Sequence, residues 1–157
     1  MTVPGITVLR HNPLNAVTET VERLTYADGR TAIRKRLRRP VEVSGDPWAA
    51  SVDPRHWNYW RREVEVYRDE ELRAELAIAG LLLPGAEVVE DEGGAVLVME
   101  DVIGLAATAF GLAEHEALAR ACGRWQARPP QDREWTSQGF LRGLLDDACS
   151  AVGAGRR

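Results

Sequence analysis

Hydrophobic and polar positions alternate in some stretches of this chain and recur at helical spacing in others. Residues 6–9 (ITVL) and 17–26 (VTETVERLTY) are rich in β-branched and apolar side chains, with the turn-forming cluster HNPLNA between them. Asp28-Gly29 marks a tight hairpin, because glycine accepts positive φ without a Cβ clash. A third strand follows from Thr31 to Leu37, and short turns between the three imply an antiparallel meander. Residues 40–54 read as a loop with three prolines. The spacing then predicts a long helix from Pro54 to Ala79, with Asp53 as N-cap and an apolar stripe of Trp57, Trp60, Val64 and Tyr67. The acidic stretch near Asp69 could kink it, and Gly80 and Pro84 end it. Strands at 86–90 and 95–99 flank the turn DEGG. Helices are predicted over 112–127, with Leu118, Cys122 and Trp125 on one stripe, and over 138–152, before a frayed tail GAGRR. The expectation is an α+β fold with a five-stranded antiparallel sheet and one long packed helix.

Composition narrows the setting. The 157 residues are 45% hydrophobic and 28% charged, with net charge -4, which suits a soluble domain and gives no reason to expect nucleic acid or an anionic membrane as partner. Cys122 and Cys149 show no metal or disulfide spacing, and the first residues lack the apolar core of a signal peptide, so a cytoplasmic location is expected. No apolar run approaches the roughly 20 residues needed to span a bilayer.

The informative charges lie in Ala32-Ile33-Arg34-Lys35-Arg36-Leu37-Arg38-Arg39. Alternation in a strand puts Ile33, Lys35 and Leu37 on one face and the arginines 34, 36 and 38 on the other. Lys35 is then a cation among apolar neighbours, and needs a carboxylate or phosphate partner unless it snorkels to solvent. On the long helix, Glu63 borders the apolar stripe and can reach Lys35, whereas Glu65 is rotated away and should stay solvated. The alternative for Glu63 is a surface pair with Arg62 or another neighbour, of the kind that contributes roughly 0–1 kcal/mol.

A strand lysine, a helix glutamate and two further strands leading into an exit segment resemble the N-terminal lobe of protein-kinase-like enzymes. In detail the chain resembles the aminoglycoside phosphotransferase family. The matching stretches are AVTETVERLTYADGRTAIRKRL, HWNYWRREVEVYR, GLLLPGAEVVE and AVLVMEDVIG, with Leu97, Met99 and Gly104 in the last strand's signature. The resemblance implies ATP and Mg²⁺ as cofactors and a small-molecule acceptor. It implies that Lys35 contacts the α- and β-phosphates and that Glu63 orients it. Met99 would line the adenine pocket, and Glu100 and Val102 would offer backbone C=O and N–H to the adenine edge. The turn Asn12–Ala16 would lie over the phosphates, although it holds no glycine. Residues 1–104 would form the nucleotide-binding lobe and hinge, and 105–157 part of a helical C-terminal lobe.

The family's H-x-D-x-x-x-x-N catalytic loop is not found. Asparagine stands only at positions 12, 15 and 58, His115 is followed by Glu116 and Ala117, and Asp146-Asp147 sits in a helical context. The expectation is therefore a chain that stops before the catalytic loop and is inactive alone. Self-association through the uncovered lobe interface is also expected. Two other readings stay open: a non-catalytic nucleotide-binding or regulatory module, and a nucleic-acid-binding module using Arg34 to Arg39.

Overall fold

The computed structural model describes residues 5–12, 16–41, 49–105, 107–129 and 131–137. Strands β1 (Gly5–Val8), β2 (Thr18–Thr25) and β3 (Thr31–Arg38) form the meander. Helices α1 (Arg62–Arg68) and α2 (Glu70–Ala79) follow, then β4 (Ala86–Asp91), β5 (Gly94–Glu100) and α3 (Leu112–Gln126). The fold is α+β, with a five-stranded antiparallel sheet in the order β1-β2-β3-β5-β4. The chain leaves the meander at β3, builds the helix pair, and returns so that β5 lies beside β3.

Register decides which side chains share a face. Val21, Lys35, Leu97 and Val88 form one cross-strand row, and Arg23, Ile33, Met99 and Ala86 the next. These rows lie on the face that α1 covers. The core there is Val17, Leu37, Trp60, Val64, Ala95 and Leu97, with Tyr67, Val88 and Met99 packed against it. Val64 and Leu97 are fully buried, each contributing about 1.5–3 kcal/mol by leaving water. The opposite face carries the arginines. Arg34 pairs with Glu22 and Arg38 with Glu19, both at 2.6 Å, so the basic run is partly neutralised by its own sheet.

The helix predicted over 54–79 is shorter and broken. Residues 54–61 form turns, because their backbone groups are already taken. Ser51 accepts from Trp60 N–H (3.0 Å) and donates to Asn58 C=O (2.9 Å). The Arg62 guanidinium binds the carbonyls of Trp57 (2.5 Å), His56 (2.6 Å) and Pro54 (3.2 Å), which a helix would need for itself. Asp53 therefore caps a turn, accepting from Arg55 N–H, and Trp57 lies ahead of α1 rather than on it. The second break falls at Asp69, the place where the acidic stretch suggested a kink. Asp69 has ψ 95° and its side chain accepts from Leu72 N–H at 2.7 Å, which starts α2 afresh. Gly80, at φ 84°, ends α2 in the left-handed conformation that glycine tolerates.

Helix α3 meets α2 through its C-terminal half, where Arg124 donates to Ala79 C=O at 2.7 Å and Ala121 is buried. Its N-terminal half is exposed, as are Val102, Ile103 and Leu105 in the preceding connector. The helix expected over 138–152, and Asp146 and Asp147 within it, lie outside the described residues. So do positions 13–15 of the turn expected over the phosphates. Among the described residues, no helix is long and apolar enough to cross a membrane.

Candidate functional site

Lys35 and Glu63 meet. The ammonium donates to Glu63 Oε2 at 2.5 Å, with the two side chains 18% and 31% exposed. Strand alternation aims Lys35 at the helix-covered face. The stripe of Trp60, Val64 and Tyr67 then sets the rotation of α1, so that Glu63 comes to the edge of the covered region. Its carboxylate also acts on Tyr67. Burial, and then the Glu63 charge, push that phenol's pKa up. A cleft of about 370 Å³ opens beside Glu63, bounded by Thr18, Trp57, Arg62 and Tyr67.

Glu65 departs from expectation. It is not solvated: its side chain is 22% exposed and bound to Arg61 at 2.6 Å. Arg61 also clasps Glu90 on β4 at 2.6 and 2.9 Å, and Arg68 bonds the same carboxylate. This network pulls Glu90 below its ordinary pKa, chiefly through the Arg61 hydrogen bonds, and raises Arg61. It holds α1 on the sheet from one side while Lys35 holds it from the other. Arg62, a possible partner for Glu63 in the sequence, is spent on carbonyls instead, and burial lowers its pKa.

Beyond Lys35 the same face carries Val21, Ile33 and Met99, all only half-buried. Met99 sits one row from Lys35. At the far end Asp101 closes the row. Its carboxylate is 9% exposed, bonded to Arg23 at 2.8 Å, and its pKa is lowered first by a hydrogen bond from Thr31 and then by Arg23. This pins the segment leaving β5 across the end of the apolar strip. Glu100 lies on the opposite face by alternation, and its N–H donates to Gly85 C=O at 2.8 Å. Val102 follows in the connector, 64% exposed, and its backbone has no hydrogen-bond partner among the described residues. The five expected site residues thus divide. Lys35 and Met99 share the covered face and Glu63 meets Lys35 from α1, while Glu100 ends β5 on the opposite face and Val102 lies in the connector.

Two features escaped the sequence reading. One is the Arg23–Asp101–Thr31 cluster, whose partners lie 78 residues apart and leave no local signal. The other was legible by counting: Lys35 is the chain's single lysine, against 19 arginines. Among the described residues no group of three or more His, Cys, Asp or Glu could hold a metal ion. Cys122 is a half-buried free thiol. His115 lies against the Phe110 ring at 5.7 Å. No protein-family model, curated protein or solved structure matches the chain.

Proposed function

We propose that this chain is the ATP-binding lobe, with part of the catalytic lobe, of an aminoglycoside-phosphotransferase-like small-molecule kinase. The observation that carries the reading is the Lys35–Glu63 pair, beside an incompletely covered apolar strip and an exit strand. A lysine held by one carboxylate keeps donors free for a second anion, since its ammonium has three. A nucleotide with its base on Val21, Ile33 and Met99 would bring its phosphates to that ammonium. Glu63 would hold the ammonium still, and the backbone at 100–102 would meet the edge of the base. The described residues offer no cluster to hold Mg²⁺, so such an ion would be held by the phosphates themselves, whose charge it would offset.

Catalysis needs more than positioning. A catalytic-loop base typically contributes roughly 10²–10⁴-fold, and no asparagine follows position 58 to complete the motif that carries it. The chain as given should therefore bind nucleotide without transferring phosphate. The second reading is a non-catalytic nucleotide-binding or regulatory module, which would use the same Lys35–Glu63 pair. Pairing of Arg34 and Arg38 with sheet carboxylates weighs against the nucleic-acid reading.

The test is calorimetric titration of the 157-residue chain with ATP·Mg and with a short DNA duplex. ATP should bind, and Lys35→Ala should weaken it by about 10-fold or more, since hydrogen bonds to charged groups are worth about 1.5–3 kcal/mol. Equal affinity in the variant, or preference for the duplex with a steep salt dependence, would overturn the reading. Acceptor-dependent ADP release with amino-sugar or hydroxyl acceptors, lost in Lys35→Ala, would show that the chain transfers phosphate after all.

A further inference from the structure

Helix α1, which carries Glu63, touches the sheet on its inner side. Its outer side is crossed by the segment after α3. Gln131, Asp132 and Arg133, with the carbonyls of Arg133 and Trp135, bond to the helix pair and the turns before it. Gln131 donates to Glu71 at 2.8 Å. Asp132 accepts from Arg55 at 2.7 Å, and the same guanidinium donates to Arg133 C=O at 2.9 Å. Trp135 C=O accepts from Arg62 at 2.9 Å. Arg133 itself reaches between the helices, bonding Asp69 Oδ2 at 2.5 Å and Glu75 Oε1 at 3.1 Å.

The Arg133 triad is well covered: its three side chains are 14%, 17% and 16% exposed. Burial alone would lower the Arg133 pKa, but the two carboxylates raise it above its ordinary value. Asp69 is the joint between α1 and α2. One of its oxygens caps α2 and the other receives Arg133, so the geometry of the break is fixed from outside. Arg62 precedes Glu63 by one residue and binds both the turn before α1 and Trp135. The segment therefore grips α1 at both ends, at Arg62 and at Asp69, with Glu63 between the grips.

We propose that residues 131–135 are a strap that sets the position of α1, and that Arg133 and Arg62 are positioning residues for the Lys35–Glu63 pair. The coupling of strap to pair stands on geometry alone. Its consequence for nucleotide affinity rests on the function proposed above. By linkage the effect is reciprocal: what seats Glu63 on Lys35 seats the strap, and a ligand that prefers the paired state tightens both.

The single lysine makes this measurable. With ¹³C-lysine in the full chain, one Cε resonance reports Lys35, and its position in Glu63→Gln defines the unpaired state. In the absence of nucleotide, Arg133→Gln should move this signal toward that of Glu63→Gln. Arg133→Lys should return it most of the way. Should Arg133→Gln fail to fold, Arg55→Gln gives the same reading from a more exposed site, as it releases Asp132 and the Arg133 carbonyl. A Lys35 signal that stays at the wild-type position while the melting temperature falls would overturn the proposal, leaving the strap a purely structural brace. In a separate arm, Arg133→Gln should weaken ATP binding by about 5-fold or more, and ATP should slow hydrogen exchange in residues 131–135. A moved lysine signal with no ATP binding in any variant would sink the nucleotide reading and keep the strap. Unchanged ATP affinity with a moved signal would refute the link between them.

Discussion

Replacing Gly94 with alanine should cost far more than the same change one residue earlier. Gly94 opens β5, opposite Arg38 on β3, at φ 155°. A Cβ there would stand 2.0 Å from the Leu37 carbonyl oxygen, 3.0 Å from its carbon and 3.2 Å from Arg39 N. All three atoms are backbone, so no side chain can swing aside. The φ value is open to glycine alone, a strain of about 1–3 kcal/mol for any other residue. Relieving the clash means parting β3 from β5 at this end, which weakens the Arg39 N–H to Gly93 C=O bond (3.0 Å) and neighbouring ladder bonds. Each is worth about 0.5–1.5 kcal/mol. Together these give about 3–5 kcal/mol, a large share of the roughly 5–15 kcal/mol of a typical domain. At Gly93 the added Cβ would meet only the Asp91 side chain, at 3.3 Å, and φ is not positive. Gly93→Ala should stay within about 1 kcal/mol. Urea unfolding followed by tryptophan fluorescence measures both. Equal costs for the two variants would mean that β3 and β5 do not approach as described, and the register that aligns Lys35 with Leu97 would fall with them.

Acid should loosen the fastening of α1 to β4. Glu90 is held below its ordinary pKa of 4.5, so its contribution is present above that value and lost as pH falls through the folded-state pKa. Glu90→Gln should cost about 1 kcal/mol at pH 7, where both arginines can rehydrate, and less at pH 3. Thermal melts at both pH values check this, and an equal cost at both would refute it. Ile103 is 92% exposed and Leu105 65%, and Leu112 and Leu118 on α3 are exposed as well. Concentration-dependent association is expected by sedimentation and should fall in Ile103→Asp/Leu105→Asp; a wild-type chain monomeric at high concentration would refute it.

The sheet was legible because its signals are local. Alternation in TAIRKRL and turn chemistry at Asp28-Gly29 and DEGG place four strands within a residue or two of where they lie. The Lys35–Glu63 pair was legible for a related reason: strand parity and the helical stripe each leave one titratable group facing inward. Residues 54–61 were misread because their helical spacing is real, yet Ser51 and the Arg62 guanidinium take the backbone groups a helix requires. Glu65 was placed in solvent because Arg61 and Glu90 form their cluster only once β4 lies beside α1. Such contacts between distant stretches have no period and no motif, so pattern cannot announce them.

Why position 35 alone keeps lysine can be argued from the arginines around it. Arg61 on Glu90, Arg34 on Glu22 and Arg133 on Asp69 and Glu75 are lasting contacts within the fold. For such work the planar, forked guanidinium is suited, since its donors are fixed in directions that match a carboxylate. A group that must hold a carboxylate and also receive a second anion has the opposite need. The ammonium is a point charge with three donors on a flexible stem, and can turn between partners without breaking a paired fork. Lys35→Arg should therefore preserve the fold, and the new guanidinium should bind Glu63 at least as firmly, so the melting temperature should hold or rise. Nucleotide affinity should nevertheless drop by about 10-fold, the loss of one hydrogen bond to a charged group. Paired thermal melts and ATP titrations separate the two effects. Should the arginine variant bind ATP as well as the wild type, a lasting contact is all that position 35 requires, and its lysine gives no support to a phosphate-binding role.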